Sequence, residues 1–225
     1  MNSLNVDYVF VAHYAPLTQR KQVFSAELAR HNIDAEWITE EPDEPLENAS
    51  YYDPTSWDEK LKVVPRRGHA SARLLRQAEY SLMYKHMLIL FAGYTRTYDS
   101  ILVLEDDAML HPMFTQMFNK QLAETPDDYD FVFIGSGCNL RIPQGQQVPG
   151  QVAYKVPHPA SKCTDSFVVS RKALEKLSET LEPFTFPADF ELNYQMALHD
   201  MNVYWWEPPI VSQGSQDSTY CSEVQ

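Results

Sequence analysis

Long apolar runs are missing from this chain. None approaches the roughly 18 residues that a membrane-crossing helix needs, so no membrane span is expected. The opening Met1–Asp7 has no basic residue, and Asp7 breaks the first apolar stretch, which argues against a secretory leader. Cysteine is scarce as well. Cys138, Cys163 and Cys221 are odd in number, widely spaced and outside any Cys-x-x-Cys or Cys/His pattern. That argues against a zinc site and suits free thiols in a reducing compartment, so a cytoplasmic location is expected. Basic residues are outnumbered, 18 Lys and Arg against 31 Asp and Glu, for a net charge of −13. So acidic a surface argues against a nucleic-acid or anionic-membrane partner.

What is present is a core. The 225 residues are 44% hydrophobic and 12% aromatic, enough for a single domain spanning 1–225 and far from a disordered or low-complexity composition. The charge is unevenly placed. Residues 40–59 hold eight acids and no base, interleaved with Pro42, Pro45 and Pro54. They read as an acidic surface loop with neither a regular helix nor a central strand. From Lys60 to Arg96, Arg66 and Arg67 included, the sign reverses, with eight bases against Glu79 alone. Those bases either form a solvated helix face that pairs with the acidic loop, or line a site for an anionic ligand such as a diphosphate.

Short apolar runs near residues 5–12, 34–39, 100–104, 130–134, 152–156, 166–169 and 203–206 read as strands, and the amphipathic stretches between them as helices. Strands alternating with helices mean an α/β layered domain with a mostly parallel central sheet. In the longest helical stretch, expected over 70–93, Leu75, Ala78, Leu82, His86 and Ile89 share one stripe, which turns His86 toward the core. The adjacent Trp205 and Trp206 face opposite sides of a strand, one for the core and one available to stack on a ligand. The polar segment 212–225 reads as a tail.

The chemistry concentrates where the run Ile101–Leu104 meets Glu105, Asp106 and Asp107. The carboxyl end of a strand in a parallel sheet is where ligands bind. Three successive carboxylates there raise one another's pKa or gather around a cation. Alternate residues of an extended segment project together, so Glu105 and Asp107 converge on one ion while Asp106 points elsewhere. Hard oxygen donors select Mn²⁺ or Mg²⁺. The alternative is a solvated acidic turn at a helix N-terminus. A phosphatase would need Asp-x-Asp-x-Thr, and a sugar-nucleotide pyrophosphorylase would need a glycine-rich loop where Val11 is followed by Ala-His-Tyr-Ala-Pro.

The segment Ile101-Leu-Val-Leu-Glu-Asp-Asp-Ala-Met resembles the LEDD segment of glycosyltransferase family 25, the lipooligosaccharide and collagen galactosyltransferase group. Further pieces resemble that family in the same order: Pro16–Lys21, Glu79–His86, Thr164–Ala173, Phe186–Phe190 and Pro208–Ser218. The departures are Lys85-His86, where the family has Ser-His, and the loop from Gly135 to Val156. The resemblance implies a GT-A-like (Rossmann-like) nucleotide-sugar-binding domain that transfers a hexose with inversion, most often galactose from UDP-galactose, to a glycan or hydroxylated protein. On that reading Asp107, helped by Glu105, holds the divalent ion on the donor diphosphate, and Asp106 contacts ribose or sugar. Asp189 is the candidate base, with Glu191 as substitute; the alternative for Asp189 is a helix N-terminal acid. Arg20 is either a donor-binding cation or a surface base. His86 either fills the core or braces the acidic motif. Gln213, Ser215 and Ser218 are candidates to close over the donor. A transferase-like module that binds glycans or a partner without turnover is the competing reading.

Overall fold

The computed structural model describes residues 3–64 and 73–216; Arg66, Arg67, Ser218, Cys221 and the start of the expected long helix lie outside them. The main elements run β1 (Tyr8–Ala12), α1 (Thr18–Arg30), β2 (Glu36–Ile38), α2 (Trp57–Val63), α3 (Gln77–Thr95), β3 (Ser100–Glu105), β4 (Ala108–Leu110), α4 (Phe114–Ala123), β5 (Phe131–Phe133), β6 (Ala153–Lys155), β7 (Ser166–Ser170), α5 (Arg171–Thr180), α6 (Ala188–Leu198), β8 (Val203–Trp206) and β9 (Val211–Gln213).

Period-two alternation in uninterrupted apolar strands produces two separate cores. In β3, Ile101 and Val103 pack into one, and Leu102 and Leu104 into the other. β1, β5 and β7 split the same way: Phe10, Phe131 and Phe167 face the first core, Val9, Val132 and Val168 the second. The first core is closed by α3, α5 and α6 through Tyr80, Met87, Leu174, Leu177 and Leu192. The second is closed by α1 and α4 through Phe24, Leu28, Phe114 and Phe118. The result is an α/β/α sandwich.

The seven-stranded sheet has the order β2-β1-β3-β7-β5-β8-β6. β2, β1 and β3 are parallel, as are β5 and β8, while β7 runs antiparallel between β3 and β5, and β6 runs antiparallel on the edge of β8. Five of the seven strands therefore point one way, so the sheet is mostly parallel.

Three readings of the sequence need correction. The segment 40–59 is not loop throughout: Asp53 accepts from the Thr55 N–H to cap a short 3₁₀ turn at Pro54–Ser56, and α2 follows from Trp57. Trp57 is almost fully buried, with its ring 4.7 Å from Phe186, and this anchoring sets the helix despite the surrounding acids. The expected long helix begins at Gln77, where Glu79 accepts from the Arg76 N–H. The start of the polar tail is not free either, since β9 pairs antiparallel with β4 as a two-stranded ribbon. No helix among the described residues is long and apolar enough to cross a membrane.

Trp206 closes the second core, its ring edge-on to Phe118 at 5.5 Å and its Nε1–H donating to Thr125 Oγ1 at 2.8 Å. Truncation at this fully buried site leaves a cavity, so Trp206→Ala is expected to lower the unfolding free energy by about 3–5 kcal/mol in urea titrations.

Candidate functional site

Strand register builds the site. β1 and β3 are parallel with Ala12 opposite Glu105, so His13 and Asp106 leave the sheet side by side. His13 Nδ1 lies 2.6 Å from Asp106 Oδ2, and Arg20 Nη1, from the first turn of α1, donates to Asp106 Oδ1 at 3.3 Å. Asp106 is thus turned toward β1 and α1 and held by two nitrogen donors. Glu105 is held from the other side. Its Oε1 accepts from Thr164 Oγ1 at 2.6 Å and lies 3.2 Å from His86 Nε2. His86 is fully buried with its ring against Phe167 at 5.8 Å, so it both fills the core and braces the acidic motif.

Asp107 sits at the turn into β4. The Ser215 N–H donates to its Oδ2 at 3.3 Å and the Gly214 N–H to its carbonyl at 2.8 Å. Its other carboxylate oxygen, Oδ1, is buried without a hydrogen-bond partner. Burial, followed by the charge of Glu105, pushes the Asp107 carboxyl up to about 6.

A fourth carboxylate, Asp165, completes the cluster. It is fully buried, accepts from Ser166 Oγ at 2.8 Å, and leaves Oδ1 unpartnered. Burial, with the charges of Glu105 and Asp107 adding to it, pushes its carboxyl up to about 8 despite the nearby Lys162. Glycine is required opposite it: a Cβ at Gly135 would stand 2.0 Å from Asp165 Oδ2, and one at Gly137 2.7 Å from Oδ1.

Glu105, Asp106 and Asp107 floor a cleft of about 530 Å³. Ala12, His13, Tyr14, Leu17 and Arg20 line it from β1 and α1; Gln77, Ala78, Ser81, Leu82 and Lys85 line it from α3. Glu41 reaches in from the acidic loop, and Gln213 and Ser215 from the β9 end. Lys85 Nζ is buried and donates to Glu41 Oε1 at 2.5 Å and Ser81 Oγ at 2.7 Å. In the cationic stretch, Lys62 and Lys85 pair with Glu59 and Glu41 of the acidic segment, whereas Lys60, Arg73 and Arg96 pair with Glu191, Glu79 and Glu36; of these five bases Lys85 lines the cleft.

Six of the residues singled out in sequence, Arg20, Glu105, Asp106, Asp107, Gln213 and Ser215, line this one cleft. Asp189 and Glu191 are not in its lining. Asp189 is half-buried in the first turn of α6, close enough to Cys163 for its charge to raise that thiol's pKa. Glu191 is fully buried and saturated: Oε1 accepts from Lys60 Nζ at 2.9 Å and Gln195 Nε2 at 3.0 Å, Oε2 from the N–H groups of Thr185 at 2.8 Å and Phe186 at 3.0 Å. A carboxylate with four donors and no access to the cleft anchors the start of α6 rather than substituting as a base. Trp206 is the core member of its pair, and Trp205 donates to the Ala160 carbonyl at 2.7 Å under Lys162 rather than lining the cleft. Sequence reasoning missed His13, Lys162 and Asp165. His13 carried a signal, because it follows the strand that neighbours β3; Asp165 carried none, because it lies at the start of an antiparallel strand.

For a cation, the donors on offer are hard carboxylate oxygens, one of them orphaned on Asp107, and such a set fits Mg²⁺ or Mn²⁺. Among the described residues no group of three or more His, Cys, Asp or Glu could hold a metal ion alone. An ion here would complete its shell with substrate phosphates and water, as Mg²⁺ does when one or two carboxylates hold it.

No protein-family model matches the chain, and no curated protein matches it. Solved structures do. A glycosyltransferase involved in glycosylation of the major capsid of PBCV-1 is 12% identical at a TM-score of 0.45, covering 88% of this chain and 79% of its own. A197 from STIV is 14% identical at a TM-score of 0.44, covering 88% and 80%. Likenesses this distant decide nothing about the chemistry, which rests on the cleft.

Two outcomes test the geometry. Glu191→Ala leaves Lys60 buried without its partner, so the unfolding free energy is expected to fall by about 3–5 kcal/mol in urea titrations. The second concerns pH. The carboxyls of Asp107 and Asp165 hold their protons to about 6 and about 8 when folded, against an ordinary 3.8. The folded state thus binds more protons, so their contribution is full below the ordinary value and is lost as pH rises through the folded values. Without added metal, the melting temperature of the wild type is expected to fall more than that of Asp165→Asn between about pH 6 and pH 8; parallel profiles would contradict the assignment.

Proposed function

We propose that the protein is a metal-dependent inverting glycosyltransferase of GT-A-like fold, taking a hexose from a nucleotide sugar, UDP-galactose above others, to a hydroxyl of a glycan or a hydroxylated protein. The observation that carries this reading is the orphaned, buried Asp107 Oδ1 on the floor of an open cleft at the carboxyl end of β3, beside Glu105 and across from Arg20 and Lys85.

Asp107, with Glu105, would hold Mn²⁺ or Mg²⁺. When bound, such an ion supplies charge neutralisation for a diphosphate leaving group. The chain's own groups do the rest. Thr164 and His86 fix the Glu105 carboxylate so that it does not swing toward Asp106. His13 and Arg20 hold Asp106 by hydrogen bonds, and the Arg20 charge offsets its own, so that it would accept from ribose or sugar hydroxyls rather than repel the donor. The exposed ring of Tyr14 offers a face for the base. Gln213 and Ser215 hold the β9 end against the donor's side of the cleft. Asp189 is the proposed base. Its charge acts on Cys163, the neighbour of the Thr164 that donates to Glu105, and an inverting transfer needs a base across the anomeric carbon from the leaving group.

A binding module without turnover is favoured by one observation, the position of Asp189 outside the cleft lining. The two readings separate on UDP release from a panel of nucleotide sugars with the intact chain. UDP release with UDP-galactose is expected. In titration calorimetry UDP is expected to bind in a Mn²⁺-dependent manner, and Asp107→Ala to weaken that binding at least about tenfold, the equivalent of 1.4 kcal/mol. Unchanged UDP affinity in that variant with Mn²⁺ present would overturn the assignment.

A further inference from the structure

The loop after β5 and the segment before β7 meet through two cysteines 25 residues apart, neither of which lines the cleft. Cys138 Sγ and Cys163 Sγ lie 3.0 Å apart, close enough for a direct contact between sulfurs. Neither residue is there by default. Cys138 holds a φ of 51° within the Gly137–Asn139 turn, and Cys163 a φ of 61°, both in the left-handed region that non-glycine residues enter at a cost. The two backbones approach at a glycine: a Cβ on Gly137 would stand 2.5 Å from the Lys162 carbonyl oxygen and 2.6 Å from Cys163 Cβ. A third residue holds the pair. Gln216 accepts from the Cys138 N–H at 2.5 Å, and its Nε2 lies 3.7 Å and 3.9 Å from the two sulfurs.

We propose that Cys138 and Cys163 form a redox-active dithiol that closes into a reversible disulfide by exchange with a small-molecule disulfide of the glutathione type. Access sets the order of events. Cys138 is exposed and Cys163 half-buried. Burial, and then the neighbouring Cys138, push the Cys163 thiol upward, so the outer thiol reacts first. The Cys138 thiolate attacks one sulfur of the small disulfide, forming a mixed disulfide and releasing one thiolate. Cys163 then gives up its proton, and its sulfur attacks Cys138 Sγ, releasing the second small thiol. Two protein thiols lose two electrons and two protons in all, and one small disulfide becomes two thiols.

The bond would tie the turn after β5 to the segment carrying Thr164, the hydroxyl that donates to Glu105. It would also lie under Gln216, which donates to Gln213 Oε1 at 2.5 Å at the edge of the cleft. This dithiol does not depend on the proposed transfer reaction, and its readout is covalent, so either assignment can fail without the other.

The test uses the full wild-type chain equilibrated in glutathione buffers of increasing oxidised fraction, acid-quenched, alkylated and mapped by mass spectrometry after proteolysis. The expected result is a Cys138–Cys163 cross-linked peptide pair lacking two hydrogens, reversed by dithiothreitol, with Cys221 alkylated separately. In Cys163→Ser a glutathione adduct is expected to persist on Cys138. Full alkylation of both residues at the most oxidising poise would overturn the proposal, as would pairing of either with Cys221 or a lasting glutathione adduct on wild-type Cys138.

Discussion

Four carboxylates crowd one end of one strand, and the architecture of the site follows from managing their repulsion. Glu105, Asp106 and Asp107 are consecutive, and Asp165 enters from the antiparallel neighbour, whose carbonyl oxygen accepts from the Glu105 N–H at 2.9 Å. Charges this close in a buried setting are unfavourable unless each is given a separate environment. The fold does so by distributing them. Asp106 turns toward His13 and Arg20, Glu105 toward His86 and Thr164, and Asp165 keeps its proton to about 8. Asp107 accepts from Ser215 on one oxygen and leaves the other, buried one orphaned.

The supports for this arrangement come from distant parts of the chain, which links site and fold tightly. His13 follows β1, His86 comes from the middle of α3, Thr164 from the approach to β7, and Ser215 from the turn after β9. The β4–β9 ribbon is what carries Ser215 to Asp107, because Ala108 pairs with Gln213 in the register that places the next two N–H groups over the acid. Gly135 and Gly137 matter for the same reason. They leave out the two methyl groups that would occupy the position of the Asp165 carboxylate.

Much of this was legible in the sequence where the signal is local. The run Ile101–Leu104 ending in three acids identified both a two-sided strand and the acids that line the cleft at its end. Short apolar runs found the other six strands of the sheet, and the three-four spacing in α3 put His86 inward. What was not legible depended on pairing partners. The ribbon of β4 and β9 has only three residues a side, too short to carry a period, and its tail strand reads as polar. α2 is held by Trp57 packed on Phe186, a contact across more than a hundred residues that outweighs the acids and prolines around it. Glu191, read as a substitute base, is instead surrounded by Lys60, Gln195 and two backbone N–H groups.

The sequence by itself determined the layering, the position of the acidic motif and its oxygen-donor chemistry, because hydrophobic period and residue type act within a few residues of one another. Tertiary structure alone decided how the four acids differ. Carboxyl groups become a hydrogen-bonded carboxylate at Glu105, an ion-paired one at Asp106, one with an orphaned oxygen at Asp107 and a proton-retaining acid at Asp165. Desolvation and the nearest opposite charge set those differences, and both depend on which strands lie side by side.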